Sequence, residues 1–184
     1  LITPSLKIKN FASNTKVFDW KIPKEWNVNE AYIKDPNGKK IIDYKSNNLH
    51  LVGYSIPINK KMNLQELKKH LYSDPKIQNA IPYVTSYYNK IWGFCISHKQ
   101  KKKLKKGIYK VFIDTKFSNK GLDYGELLIR GKSKKEILIS TNICHPSMAN
   151  NEISGIVVAT SLAKKIYDQN QIKKNNYSYR FLFL

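Results

Sequence analysis

The stretch STNICHPSMANNEISGIVVAT, residues 140–160, decides how this sequence is interpreted. An apolar run leads into Cys144-His145-Pro146, a polar segment containing Asn151 and Glu152 follows, and Ser154-Gly155 opens a second apolar run. Histidine and carboxylate are ligand types that zinc accepts outside cysteine sites, and a Ser-Gly pair lets the start of a helix approach a sheet closely. The stretch therefore predicts a strand, a polar loop and a helix. The loop side chains fit either a capping or core role, which one His near a Glu commonly has, or a metal site.

The segments around this stretch predict a βαβ unit. KEILISTNI (135–143) is a nearly continuous apolar run typical of a strand in the middle of a parallel sheet, and YSYRFLFL (177–184) is a second buried strand. Apolar and small residues between them recur three or four apart, which predicts a helix with one buried face. That face comprises Ile153, Ile156, Val157, Thr160, Ala163 and Ile166. Because ligands bind at the carboxyl ends of parallel strands, the loop between strand and helix is the expected site.

Residues 1–120 predict mainly β structure, so we expect a β-rich domain over 1–120 and an α/β domain over 121–184. In residues 15–23, Val17, Trp20 and Ile22 are core candidates, and Asp35-Pro36-Asn37-Gly38 predicts the turn of a hairpin over 31–44. Further strands are predicted at 49–58, 91–96, 107–115 and 124–131. One helix is predicted after Asn63 as N-cap, with Glu66 at its third position and Leu64, Leu67 and Leu71 on one face.

The net charge of +20 comes almost entirely from lysine, since Arg130 and Arg180 are the only arginines among 33 basic residues. Proteins that recognise specific nucleic-acid sequences favour arginine, because its planar guanidinium group makes paired hydrogen bonds. No specific nucleic-acid partner is therefore expected. The lysine-rich segment 98–107 leaves a polyanion contact open as an alternative to a solvated surface. No apolar stretch is long enough for a membrane span, so no membrane partner is expected.

Cys95 and Cys144 belong to no CxxC pair and are expected to be buried free thiols, which favours a reducing, cytoplasmic location. The chain begins without Met and without a signal sequence, so we expect its true N-terminus to lie upstream. His50 is expected at a strand surface or core edge, and His70 and His98 in solvent. The aromatic residues Tyr83, Tyr87, Tyr88, Trp92 and Phe94 fit either the core or a cleft for a sugar or peptide.

The segment CHPSMANNEISG (144–155) resembles the di-zinc aminopeptidase clan, in which a histidine after a strand precedes an acidic cluster, Ser-Gly and a helix. The resemblance implies His145 as a zinc ligand and Asn151 in the place of the acid that bridges two metals, with Glu152 beside it. Ser147 stands where the active enzymes have an aspartate, and a neutral amide bridges two dications poorly. The resemblance therefore implies one zinc ion rather than two.

A more specific resemblance is to the aminopeptidase-like proteins of bacterial polysaccharide-biosynthesis loci, and it covers almost the whole chain. It is carried by the same segment and by TKVFDWKIPKEWNVNEAYI (15–33), NLHLVGYS (48–55), IPYVTSYYNKIWGFC (81–95) and YGELLIRG (124–131). It implies that residues 1–120 are a domain inserted into a zinc-aminopeptidase-like α/β fold. It also implies that the catalytic glutamate and further ligands follow the strand at 177–184, so the chain is a fragment without assignable catalytic residues.

These observations predict part of a zinc-dependent aminopeptidase-like hydrolase in surface-glycan metabolism. Its expected substrate is a small peptide-like or glycan-linked molecule with an amide bond, and its expected metal-binding residues are His145, Asn151 and Glu152. The alternative is a peptidase fold that has lost its chemistry and binds a glycan or a partner protein, as Ser147 and Asn151 in place of acids indicate. The oligomeric state is left open.

Overall fold

The computed structural model describes residues 6–144 and 149–184. The strands are β1 (Lys7–Phe11), β2 (Lys16–Val17), β3 (Trp20–Lys21), β4 (Glu25–Lys34), β5 (Lys40–Asp43), β6 (Ile58–Asn63), β7 (Leu71–Tyr72), β8 (Phe94–Cys95), β9 (Ile108–Ser118), β10 (Leu122–Ile129), β11 (Glu136–Thr141) and β12 (Ser178–Phe183). The helices are α1 (Leu64–Lys68), α2 (His98–Lys102) and α3 (Ser154–Ile172), with a 3-10 turn at Asn48–His50 and a π-helical turn at Ala149–Ile153. The fold is mixed α/β and rich in strands, and none of the helices described here is long and apolar enough to cross a membrane.

The chain divides into two compact units. The central unit is Pro23–Lys120, and the terminal unit joins Gly121–Leu184 to the described residues up to Ile22. The boundary after Lys120 lies where it was expected, but the described residues up to Ile22 join the terminal unit instead of the central one. The reason is that β1 pairs antiparallel with β10, from Lys7 opposite Glu126 to Phe11 opposite Leu122. The backbone groups of β1 find their partners in that sheet, so the first strand belongs with the C-terminal sequence.

The central unit is built on an antiparallel sheet in the order β5-β4-β9-β6. The hairpin predicted over 31–44 is confirmed as β4 and β5, with Gly38 at φ +82° in its turn. The Asp35 side chain accepts hydrogen bonds from the backbone N–H groups of Asn37 and Lys39, which closes the turn. One face of the sheet carries the core, which comprises Ala31, Ile33, Ile42, Leu51, Met62, Leu67, Leu71, Phe94, Ile96, Tyr109, Val111 and Ile113.

The strand predicted over 49–58 is wrong. Residues 48–50 form a 3-10 turn capped by the Asn47 side chain, and the next strand begins only at Ile58. The backbone N–H groups of Val52 and Ile56 donate to the carbonyls of Gly93 and Ile91, not to a continuous ladder. The capping role of Asn63 is confirmed, since its side chain accepts from the N–H of Glu66, but α1 ends at Lys68 and Leu71 lies in β7.

The terminal unit contains a four-stranded sheet in the order β1-β10-β12-β11. The predicted βαβ unit is confirmed, because β11 and β12 pair in parallel and α3 connects them. The prediction that 135–143 lies in the middle of the sheet is wrong. Within the described chain β11 is an edge strand, and β12 lies between β10 and β11. As a result Leu138 remains 62% exposed despite the apolar character of its strand.

The buried face of α3 is made by Ala159, Ala163, Ile166 and Asn170. The expected positions Ile153, Val157 and Thr160 are exposed instead. The small side chains at 159 and 163 let the helix lie close to the sheet, where it packs against a core of Leu127, Ile129 and Phe181. Among the candidates in residues 15–23, Ile22 is buried and Val17 half-buried, but Trp20 is exposed because this segment forms a short hairpin of β2 and β3.

An ion-pair network crosses the sheet of the terminal unit. The Arg180 guanidinium contacts the carboxylates of Glu136 on β11 and Glu126 on β10, and Lys9 on β1 contacts Glu126 as well. Arg180 lowers the pKa of Glu136, and Lys9 followed by Arg180 lowers that of Glu126. Because both carboxyl pKa values are depressed in the folded state, the network stabilises the sheet above the unfolded pKa values and this contribution is lost as the pH falls through the folded ones.

Candidate functional site

The candidate site lies where β11 passes into the loop before α3. Thr141 at the end of β11 is paired in parallel with Phe183 at the end of β12, so the carboxyl ends of both strands lie at one edge of the sheet. The chain returns to described structure at the π-helical turn Ala149–Ile153, which carries Asn151 and Glu152 directly into α3. Wide π turns within helices are frequent at functional sites, because they displace side chains from the regular helical register.

Glu152 is the most distinctive side chain of this junction. It is only 4% exposed, and its Oε1 accepts a hydrogen bond from the Cys144 Sγ at 3.6 Å. Burial raises the pKa of the Cys144 thiol, and the adjacent Glu152 carboxylate raises it further. The proton therefore stays on sulfur, where it supports the buried carboxylate.

The two cysteines differ in their surroundings. Both are free thiols, as expected, but Cys144 is an exposed residue, whereas Cys95 is buried in the central unit. Burial raises the pKa of Cys95 to about 12, so this thiol stays protonated at neutral pH. Neither thiol has the depressed pKa of a reactive cysteine.

The three residues expected to bind metal have separate outcomes. His145 lies outside the described residues. Asn151 is exposed, whereas Glu152 is buried against Cys144, so the two neighbours face different surroundings. Across residues 6–144 and 149–184, no three His, Cys, Asp or Glu side chains come together in a way that could hold a metal ion. The buried carboxylate fits the donor chemistry of zinc, but the described residues alone do not complete a zinc site.

Gly155 brings the first turn of α3 close to β11, as the Ser154-Gly155 pair predicted. A Cβ atom at this position would overlap the Thr141 hydroxyl, while the Thr141 Cβ would be at an ordinary 3.5 Å. The Ser154 hydroxyl donates to the Asn150 carbonyl at 2.8 Å and joins the π turn to the helix. The close approach holds the start of α3 against the end of β11.

We expect Gly155→Ala to destabilise the protein by about 1 kcal/mol, because the steric overlap with the Thr141 hydroxyl outweighs the roughly 1 kcal/mol that alanine gains in helix propensity. In a Thr141→Ala background the overlap is absent, and the same change is expected to stabilise by about 1 kcal/mol. Urea denaturation of the four proteins measures both effects. The same sign in both backgrounds would show that this contact does not limit the approach of the helix.

The other histidines have structural partners in the central unit. The His50 ring is buried and its Nδ1 donates to the Cys95 carbonyl at 2.8 Å. It lies in a 3-10 turn and not on a strand, and of its two expected positions the exposed one is wrong. His70 is half-buried, stacks on Trp92 with ring centroids 3.7 Å apart, and hydrogen-bonds with the Trp92 carbonyl. His98 is also half-buried, and its Nδ1 lies 3.2 Å from the Ser73 hydroxyl. These contacts indicate that the three histidines have structural roles in the central unit.

The lysine-rich segment 98–107 begins with α2, which Ser97 and Gln100 cap reciprocally. Lys101 makes a hydrogen bond within the protein, since its Nζ donates to the Leu71 carbonyl at 2.6 Å. Burial lowers the pKa of the Lys101 ammonium group. A polyanion contact at this segment stays a prediction.

Some of the aromatic residues expected in the core or in a cleft are buried, and the others are exposed. Phe94 is fully buried and Trp92 half-buried, whereas Tyr83, Tyr87 and Tyr88 are exposed. The exposed tyrosines join a larger cluster through Tyr54, whose ring centroid lies 5.2 Å from that of Tyr87. We call this cluster the aromatic platform, and its residues are Trp26, Tyr54, Tyr83, Tyr87, Tyr88 and Phe117.

Sequence reasoning missed Trp26, Tyr54 and Phe117. The alternation along β9 could have placed Phe117 on the face of Thr115 and Ile113, because residues two apart on a strand share a face. Trp26 lies opposite Phe117 in the register of β4 and β9, a pairing of residues 91 positions apart that no local pattern indicates.

Comparison with known proteins adds the following. Residues 25–116 match the family model described as "Domain of unknown function (DUF2172)". A Clostridium acetobutylicum protein named "Putative polysaccharide biosynthesis protein with aminopeptidase-like domain" is 46% identical over 178 residues, which are 97% of this chain and 40% of that protein. A crystal structure of a "putative peptidase" from the same organism has a TM-score of 0.90 and 45% identity, and the match covers 98% of this chain and 42% of that one.

A more distant structural match is a zinc aminopeptidase from Bacillus subtilis, with a TM-score of 0.61 and 13% identity. It covers 97% of this chain and 50% of that one, and it indicates a shared fold. The chain thus spans half or less of the length of each protein that it matches here.

Proposed function

We propose that this chain, which belongs to the DUF2172 family, is part of a zinc-dependent hydrolase of glycan metabolism. Over nearly its whole length it is homologous to an aminopeptidase-like protein named for polysaccharide biosynthesis. The proposed substrate is a peptide-like or glycan-linked molecule with an amide bond. The observation that carries the proposal is the buried Glu152 carboxylate at the carboxyl edge of the parallel pair β11 and β12.

In this proposal His145 and Glu152 contribute to one corner of a site for a single zinc ion, with Asn151 orienting that corner. Zinc, when bound, supplies Lewis-acid polarisation of an amide carbonyl. The contribution of the chain is positional: Gly155 sets the helix close to β11, and the π turn directs Glu152 inward. The Cys144 thiol donates a hydrogen bond to Glu152 and so helps to hold this side chain in place.

Titration of zinc into the chelator-treated protein by isothermal calorimetry tests this assignment. We expect His145→Ala to weaken zinc affinity about a hundredfold, since one of a few direct ligands is lost, and Glu152→Gln to weaken it about tenfold or more. His98→Ala is the matched control, because this histidine lies in the central unit with Ser73 as its partner. Equal zinc affinity of the His145→Ala and unmodified proteins would refute the ligand role.

A second candidate function is a non-catalytic module that binds a glycan or a partner protein. It is favoured by Asn151, whose amide stands where the clan has a bridging acid, and by the exposed tyrosines of the aromatic platform. Zinc-independent ligand binding together with unchanged zinc affinity in His145→Ala would favour this candidate over the hydrolase.

A further inference from the structure

The aromatic platform is a surface of the central unit, remote in sequence from the loop at 142–153. Tyr54 lies at its middle: it stacks on Trp26 with ring centroids 5.7 Å apart and an interplanar angle of 13°, and it contacts Phe117 at 6.4 Å. Tyr87 packs against Tyr54 at 5.2 Å and against Tyr88 at 6.4 Å. The rings therefore form one connected layer rather than scattered surface residues.

The backbone under this layer adopts conformations that bulky residues avoid. Among the described residues, four that are not glycine have positive φ, and two of them are Tyr54 at +64° and Tyr87 at +44°. A left-handed conformation is unfavourable for a tyrosine and persists only where surrounding contacts impose it. Such strain is common in residues that a binding site must hold in place.

Hydrogen bonds around the two tyrosines supply those contacts. The Gly53 N–H donates to the Val84 carbonyl at 2.9 Å and the Ser86 N–H donates to the Gly53 carbonyl at 3.0 Å, which ties the two loops together. The Ser55 carbonyl accepts from both the Trp26 indole at 3.1 Å and the Thr115 hydroxyl at 2.8 Å. These bonds tie the two loops that carry Tyr54 and Tyr87 to each other and to Trp26 on β4 and Thr115 on β9.

The platform is nevertheless open to solvent on one side. Tyr88 is 61% exposed and Tyr87 is 47% exposed, and Tyr83 and Phe117 are exposed as well. A rigid, contiguous and exposed aromatic surface on a globular unit marks a binding site, because burying those rings against a ligand gains free energy without the entropy cost of ordering them.

The chemistry of the rings indicates the kind of ligand. Burial raises the pKa of the Tyr54 hydroxyl, and the nearby hydroxyls of Tyr87, Tyr83 and Tyr88 raise it further. The Tyr87 ring contacts the rings of both Tyr54 and Tyr88, so phenol hydroxyls and flat apolar faces occur side by side in the platform. A pyranose ring matches this pairing, since its C–H face packs on an aromatic ring while its hydroxyl groups hydrogen-bond at the edge.

We propose that the aromatic platform binds a saccharide, with a pyranose ring stacked on Tyr87 and Tyr88 and hydrogen-bonded by the tyrosine hydroxyls. The choice of a saccharide over a proline-rich peptide, which also docks on aromatic surfaces, rests on the proposed role in glycan metabolism. The platform would hold the glycan part of a substrate.

The test is calorimetric titration of the protein with two probes, the tetrasaccharides of N-acetylglucosamine and of β-1,4-linked glucose, and with a proline-rich decapeptide. We expect at least one tetrasaccharide to bind and the peptide not to bind. Tyr88→Ala removes an exposed ring and is expected to weaken saccharide binding about tenfold. Tyr87→Gly removes a ring and also relieves the positive φ, so it is expected to lose binding to a similar extent with thermal stability retained.

Tyr177→Ala is the matched control, because this tyrosine is 48% exposed but belongs to the terminal unit. Three results would overturn the proposal. The platform variants could bind the saccharide as tightly as the unmodified protein does, neither tetrasaccharide could bind, or only the peptide could bind. Zinc affinity separates this result from the proposed function: it is expected to be unchanged in Tyr88→Ala, whereas His145→Ala is expected to weaken it about a hundredfold.

Discussion

Gly121→Ala is expected to lower the free energy of unfolding by about 3 kcal/mol or more, whereas Gly38→Ala is expected to cost only about 1 kcal/mol. The two glycines share a left-handed backbone, with φ of +90° and +82°. They differ in surroundings: a Cβ at Gly38 has nothing within 4 Å, whereas one at Gly121 would overlap the backbone carbonyl of Phe11. A backbone atom cannot move aside by changing a rotamer, so β1 would have to shift away from β10.

Urea denaturation followed by circular dichroism measures both variants against the unmodified protein. Gly38→Ala reports the cost of the backbone conformation alone, and the excess in Gly121→Ala reports the cost of separating β1 from β10. Equal costs for the two variants would mean that β1 is not held against β10 as described. The result bears directly on the division of the chain, because the pairing with β10 is what places β1 in the terminal unit.

Phe181→Ala is expected to destabilise the terminal unit by about 3–5 kcal/mol. Phe181 is fully buried on β12, the strand that lies between β10 and β11, and it packs in a small core with Leu127, Ile129, Ala159, Ala163 and Ile166. Because that core is small, loss of one large ring removes a substantial part of it. The central unit has its own core around Phe94, so its stability is expected to change little.

Hydrogen exchange followed by mass spectrometry measures the two units separately. In Phe181→Ala, peptides from 122–183 are expected to exchange faster while peptides from 108–118 keep their protection. Phe94→Ala is the matched control and is expected to show the reverse, because its ring is equally buried in the other core. Loss of protection across both units in either variant would show that they unfold as one.

Several elements were predictable because their causes are local. The turn at 35–38 follows from a proline and a glycine within four residues, and the Asp35 side chain that closes it bonds to N–H groups two and four positions on. The N-cap at Asn63 likewise depends on a side chain three residues from its partner. The βαβ unit follows from apolar periodicity and the requirement that parallel strands be joined by a crossover.

Other predictions failed where distant residues compete for the same backbone or surface. Residues 49–58 have the alternation of a strand, but the N–H groups of Val52 and Ile56 bond to the carbonyls of Gly93 and Ile91, and the pattern alone does not indicate those partners. Trp20 has the character of a core residue, but its hairpin leaves it exposed. The close approach of the helix start to β11 was predictable from the small Ser154-Gly155 pair, and Gly155 shows it. The metal-binding role of Glu152 stays a prediction.

The sequence by itself determined the turn at 35–38, the N-cap at Asn63, the strand–helix–strand order of the βαβ unit and the family, because each depends on residues close together in the chain or on their order. Only the tertiary structure decided that β1 joins β10, that β11 lies at the edge of the described sheet, and that Trp26, Tyr54, Tyr87 and Phe117 share one surface. These outcomes depend on contacts between residues 28 to more than 100 positions apart. The free energy of such contacts depends on how whole elements pack together, and no short sequence pattern carries it.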